Sequence, residues 1–513
     1  MQDPSQPWYA PRPSPEAVPG NPYVAEGSTP PPAPARRRRP GRGPLLTSVV
    51  VLLLLAAGAG AYALRDGARS GPDVPVAAKS TGPSRTPGAS RTPAARTPAR
   101  IPTTREINAG RGAGDATGWI VDDRTDLPRR SIALHDPWVV GDTVVQAIHR
   151  KVVAHRLSDG AEVWSVPLPT PVCETPVAPA SDGKVVVVHR SSQARNGNRC
   201  NQLRMIDLRT GRTGWQRKLT ETGAGDDTIV VNTAVSGDVF AVTQSMRAAV
   251  YRVADGTKLY DIPMENPGRC HPDDVAGGTR LLVSSECAIS VDRSRTYSQL
   301  REVEPRTGKV LWRYRTPPGW KIGKVLSVDP VVLTTLHAEE RTDNWRVVSL
   351  GPGGKPRTTI DPRGKGFAYC AGAGESGENI QNCGGTLVGA RTVVLGGADR
   401  VGAYDLGTGK LLWGVKSADT TLHPLHAEDG TRALVYETPG PDRPGGVLRL
   451  GPGGADTKQQ VLRHPLSARA VELRMDAGKL VYAGGRVVIT PANVSGDDAD
   501  HEARMLSFAP AGP

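Results

Sequence analysis

The chain has 513 residues, of which only 4% are aromatic, and it holds 59 Gly and 46 Pro, a composition of short strands and many turns with no long helical pattern. Its formal charge of +13 is not a nucleic-acid signal, because residues 1–66 and 67–113 carry +3 and +6 of it and leave only +4 for the remainder. Basic charge confined to the flanks argues against a basic binding face on the folded part.

Residues 1–43 are Pro-rich and then Arg-rich, too poor in apolar residues to offset the entropy of ordering, and read as a disordered tail. Residues 44–65 contain an uncharged run of 20 residues, Leu45 to Leu64, long enough as a helix to span a bilayer core of about 30 Å. Arg36 to Arg39 and Arg42 lie just before it, which predicts a cytoplasmic N-terminus with the rest of the chain outside. The small residues of AGAGAYA (57–63) would also suit signal-peptidase cleavage, but the long apolar run and long leading segment favour an uncleaved anchor. Residues 66–114 repeat SRTP, SRTP and ARTP and read as an extended polar spacer, bare or glycosylated.

From residue 115 onward one pattern recurs. SDGAEVW (158–164), RTGKVLW (306–312) and GTGKLLW (407–413) each place an aromatic four residues after a turn glycine, with related copies at RTGRTGW (209–215) and ADGTKLY (254–260). Copies spaced by roughly 45 to 55 residues predict one four-stranded blade each, and hence a β-propeller. Blade openings read at 141–145, 182–188, 237–242, 278–283, 329–333, 390–395, 429–435 and 477–482. Eight openings face seven internal exit turns, at Gly160, Gly211, Gly256, Gly308, Gly354, Gly409 and Gly454. The segment RMLSFAPAG (504–512) looks like a third strand, so the eighth blade lacks its fourth. TGWIVDD (117–123), with Trp119, lies before the first opening and would supply that strand, closing a ring and removing its open edges.

With VEPRTGKVLW and AYDLGTGKLLW the chain resembles the quinoprotein-like (PQQ-like) propeller family over about residues 115–513. The count, the apolar run and the resemblance together give the expected fold: an all-β, eight-bladed propeller of the quinoprotein-like kind behind a single transmembrane helix. The resemblance also implies that Trp119, Trp164, Trp215, Trp312 and Trp413, with Tyr260 as a substitute, pack between neighbouring blades. Blades five and seven depart from the pattern, with Thr358 and Lys458 in the aromatic position.

All six cysteines follow the apolar run, which fits an oxidising exterior. A propeller keeps sequence neighbours close, so Cys173 with Cys200, Cys270 with Cys287 and Cys370 with Cys383 is the economical pairing. Metal binding is the weaker alternative, since no C-x-x-C occurs.

For catalysis the residues are few. Cofactor-using members of the resembled family carry adjacent cysteines over the quinone, and this chain has no Cys-Cys, so no cofactor is expected. His423 and His426 form an H-x-x-H placed in the connection between blades six and seven, and His271, Asp273 and Asp274 are placed in a solvated loop beside Cys270. No nucleophile elbow, P-loop or H-E-x-x-H occurs, and the sequon at Asn493 is a pattern only. The expectation is therefore a monomeric, non-catalytic propeller tethered to the cell membrane through Leu45 to Leu64. It would face an envelope protein, a peptide or a cell-wall ligand, with a quinone-dependent oxidoreductase as the alternative.

Overall fold

The computed structural model describes residues 100–513 apart from 125, 193–198, 266–269, 288–291, 371–378, 429, 476–477, 498–501 and 512–513. The tail, the apolar run Leu45 to Leu64 and the spacer up to residue 99 lie outside the described residues. Among the described residues no helix is long and apolar enough to cross a membrane.

The first described element is a short helix, α1 (Thr104–Ala109). Its sequence TTRE is a capping box: the Thr103 hydroxyl accepts from the Glu106 N–H at 3.3 Å, and the Thr103 N–H donates to Glu106 Oε2 at 2.8 Å. Ile107 is fully buried, and the Asn108 amide clamps Gly118 twice, donating to its carbonyl at 2.7 Å and accepting from its N–H at 2.9 Å. Residues 100–114, read from sequence as the end of the spacer, thus belong to the folded body. Their Thr, Arg and Pro content matched the spacer and concealed the cap.

Among the described residues the strands group into eight four-stranded antiparallel meanders. Unit one runs Trp138–Val140, Thr143–Ile148, Lys151–Arg156 and Glu162–Pro167; unit two runs Val172–Glu174, Lys184–Arg190, Cys200–Asp207 and Thr213–Lys218. Unit three is Thr233–Ser236, Val239–Gln244, Arg247–Arg252 and Lys258–Ile262, and unit four is Cys270–Ala276, Leu281–Cys287, Tyr297–Val303 and Val310–Arg315. Units five and six are Trp320–Val328, Val331–His337, Arg341–Leu350 and Pro356–Ile360, then Thr386–Val388, Thr392–Gly396, Arg400–Asp405 and Leu411–Lys416. Unit seven is Leu422–Ala427, Ala433–Glu437, Gly446–Leu450 and Gln459–Arg463. The eighth contributes Lys479–Ala483, Arg486–Thr490 and Met505–Ala509, and its fourth strand is Thr117–Val121, paired from Thr117↔Ala509 to Val121↔Met505. A second staple of the two chain ends pairs Ile132–Ala133 with Asn493–Val494.

The second and third strands carry the core, as in the wholly buried Thr143–Ile148, whereas a fourth strand such as Thr213–Lys218 is largely exposed. This order also corrects the sequence reading of the openings. Seven of the eight segments form second strands, and 477–482 alone leads into a first strand. The true first strands are short or polar, such as VCE and CHPDDVA, and lack the apolar signature used to find them.

Consecutive units dock through one repeated contact. A Cβ placed on the turn glycine of one unit would lie 2.7 Å from the fourth-strand aromatic of the unit before it at Gly160 on Trp119 and Gly211 on Trp164, and 2.6 Å at Gly256 on Trp215 and Gly308 on Tyr260. Gly354 on Trp312 continues the series. These glycines have φ near +70°, so the turn needs glycine for its backbone and for the ring above it. Trp119 Nε1 donates to Leu157 O at 2.8 Å, Trp215 Nε1 to Val253 O at 2.7 Å, and the Tyr260 hydroxyl to Pro305 O at 2.9 Å. Trp312 Nε1 donates to the Glu302 carboxylate and Trp413 Nε1 to Thr431 O, while Trp164 Nε1 is buried without a partner. Where the aromatic is missing, Thr358 sets its methyl against Gly409 and donates to Gly407 O at 2.9 Å, and Lys458 turns to Glu437. Between units eight and one the buried Arg504 adds a bond to His155 Nε2 at 2.6 Å.

Trp119→Ala removes the ring that joins the closing strand to unit one, and should cost roughly 3–5 kcal/mol in urea unfolding. A loss below about 1 kcal/mol would show that the other contacts across that junction, Arg504 on His155 among them, hold it without the ring.

Candidate functional site

An antiparallel meander sends alternate connections to opposite ends of its strands. In this chain most first-to-second and third-to-fourth junctions are short, as at 141–142, 237–238 and 484–485, the nine-residue 175–183 of unit two being the main exception. The other long connections, 191–199, 219–232, 288–296, 361–385, 464–478 and 491–504, leave from the other end. The three disulfides sit at that end too. Cys173–Cys200 ties the first strand of unit two to its third, Cys270–Cys287 joins directly opposed residues of unit four, and Cys370–Cys383 closes a loop within 361–385. The loops of 27, 17 and 13 residues correspond to about 3 kcal/mol of stabilisation each in the chain-entropy picture.

The connection 361–385 also reaches the centre of the propeller. Asn379 Nδ2 donates to Glu174 Oε1 at 3.1 Å and to Thr233 O at 2.9 Å, on the first strands of units two and three. Gln381 pairs with the backbone of Gly277, just past the first strand of unit four, accepting from its N–H at 2.7 Å and donating to its O at 2.9 Å. Ile380 O accepts from Val325 N, Lys324 Nζ donates to Asn379 O at 2.9 Å, and Lys479, on the first strand of unit eight, donates to Asn382 Oδ1. Four residues thus touch five units, which places them where the first strands converge.

Beside them lies a cavity of about 430 Å³, lined among others by His135, Asp136, His149, Glu174, Arg190, Val230 and Asn379. Burial pushes the Glu174 carboxyl up to about 8, against its bonds from Asn379 and Thr233, so it is largely protonated at neutral pH. Asp274, buried on unit four's first strand, is held well above the carboxylate range by burial and then by Asp273, which burial raises to about 6. Desolvation holds His135 down to about 4, and Asp136 pairs with Lys479 at 2.8 Å.

His271, Asp273 and Asp274 therefore stand on a β-strand and not in a solvated loop, and His423 and His426 likewise lie on the first strand of unit seven and not in a connection. The two histidines do not act together. His423 stacks on Tyr436 and His426 tilts over Tyr482, on either side of a bulge. Among the described residues no group of three His, Cys, Asp or Glu is placed to hold a metal. Asn379 to Asn382 occupy the convergence, and the adjacent cysteines of the resembled family have no counterpart in the sequence. The sequence reading missed Glu174 and Asn379 altogether. Their signal is faint, a lone acid in PVCETPV and an amide-rich NIQNC, and only the fold brings them together.

The strand order, the repeated aromatic-on-glycine docking and the converging first strands define an all-β protein of the β-propeller type with PQQ-like repeats. The family model of outer membrane protein assembly factor BamB matches residues 106–270 and 201–333. Similar solved structures include BamB from Moraxella catarrhalis, at 14% identity over 74% of this chain and 98% of that one, with a TM-score of 0.41. Another is quinohemoprotein alcohol dehydrogenase ADHIIG from Pseudomonas putida HK5, at 12% identity over 81% and 83%, with a TM-score of 0.43. No curated protein matches the chain.

The Glu174 carboxyl gives a pH-dependent test. Its folded value lies above the unfolded one, so stability falls as pH rises from about 4.5 to about 8. Glu174→Gln should match the wild type near pH 5 and exceed it by on the order of 4 kcal/mol at pH 8.5 in chemical denaturation. An equal difference at both pH values would contradict the assignment.

Proposed function

We propose that the chain is a non-catalytic interaction scaffold of the cell envelope. In this reading the eight meanders are blades of one closed ring, and the ring is carried outside the membrane by Leu45 to Leu64 and the spacer that follows. The observation that carries it is the division of labour between the two ends of the strands. One end is locked by tight turns and aromatic docking, while the other presents the long connections on a rigid, disulfide-tied base, the arrangement by which scaffolds display binding loops. The partial match to the BamB family model, whose name is that of an assembly factor, supports the same reading. So does the arginine cluster before Leu45, which orients the anchor.

Two measurements test it. Protease added to intact cells should remove the propeller and leave a small membrane-bound stub; recovery of the domain in the medium, beginning near Asp66, would show a cleaved signal instead. A photo-crosslinker placed in 219–232 should capture an envelope protein, whereas the same group at 237–238 should not. Capture from the tight-turn end alone would overturn the scaffold reading.

A further inference from the structure

The central cavity has an unbalanced charge. Of its two carboxyls, Asp136 is neutralised by Lys479, and Glu174 is largely protonated. Desolvation keeps both His135 and His149 below the usual histidine range. Arg130 and Arg190 also line the cavity, and neither forms an ion pair with a carboxylate among the described residues. Arg150 stands on the same turn as His149, and its buried Nε has no partner. Asp126, which faces His149 from the preceding connection, offsets one of these three guanidinium groups and leaves the rest.

The wall also carries the apolar side chains Ile132, Val172, Val177 and Val231, beside the polar Thr175, Asn379 and Asn382. Ile229 and Val230 continue it outward at 62% and 44% exposure, large for aliphatic side chains in a folded body. A site that pairs a cationic side with an apolar wall selects an anion on an apolar stem, and the volume suits a few residues of peptide.

We propose that this cavity takes an acidic segment of a partner protein, its carboxylate neutralised by Arg130 and Arg190 and its flanking apolar side chains set against Ile229 and Val230. The proposal rests on the scaffold reading and names the chemistry of the partner. Guanidinium–carboxylate bonds supply the choice of charge, and the cavity wall supplies contact area.

The probe is the tripeptide Ac-Leu-Glu-Val-NH2, titrated by calorimetry into the intact ectodomain at pH 6.8, alongside the same peptide with Gln or Lys in the centre. The Glu peptide should bind at least about tenfold more tightly than the Gln peptide and lose affinity as salt is raised. Arg130→Gln with Arg190→Gln should bring the Glu peptide to the level of the Gln peptide. Neither arginine holds the fold through an ion pair, and thermal melting of the variant checks that it is intact. Ile229→Ser, which keeps the charges, should weaken the Glu and Gln peptides alike. Tighter binding of the Lys peptide, no binding of the Glu peptide, or an unchanged affinity in the double arginine variant would each overturn the proposal. Crosslinks from 219–232 would still uphold the scaffold in those cases, so the two readings fail separately.

Discussion

The contact on which the rest depends is the seating of a fourth-strand aromatic on the turn glycine of the next unit. A four-stranded meander cannot bury both its faces alone, so each must find a neighbour, and the indole or phenol ring sets how closely two sheets approach. The glycine is as necessary as the ring, because a side chain at Gly160 or Gly256 would occupy the space of Trp119 or Trp215. Once that spacing is fixed along the series, the first strands must converge, and only then do residues as distant in sequence as Glu174, Thr233 and Asn379 meet.

That dependence explains what could be read in advance. The docking pair is local, a turn and an aromatic four residues on, and so the units and the closing strand containing Trp119 were legible. The first strands were not, because residues facing a polar centre need not be apolar; the expectation therefore settled one strand too late in seven units. Helix α1 was hidden by a composition suited to a spacer. The cavity left no local trace, since its walls come from units one and two, from the stretches leading into units one and three and from the connection 361–385, and no single stretch carries its pattern.

The two ends of the strands also separate two demands. At the tight-turn end nearly every position is committed to backbone geometry or docking. Thr358 shows how narrow the substitutions are: it replaces a ring with a methyl contact and one hydrogen bond to Gly407. At the other end the connections vary in length from unit to unit, and the disulfides hold their roots. A binding surface can change there without disturbing the contact that orders the units.

One departure from regularity has a mechanical meaning. The third strand of unit four meets the first strand of unit five through the parallel bridge Tyr297↔Trp320, merging two meanders into one sheet of eight strands. Elsewhere, neighbouring four-stranded sheets meet chiefly through side chains and can slip or part where an aromatic is missing, as after units five and seven. Units four and five share backbone hydrogen bonds and must come apart together. Under tension or partial melting the pair is expected to separate last.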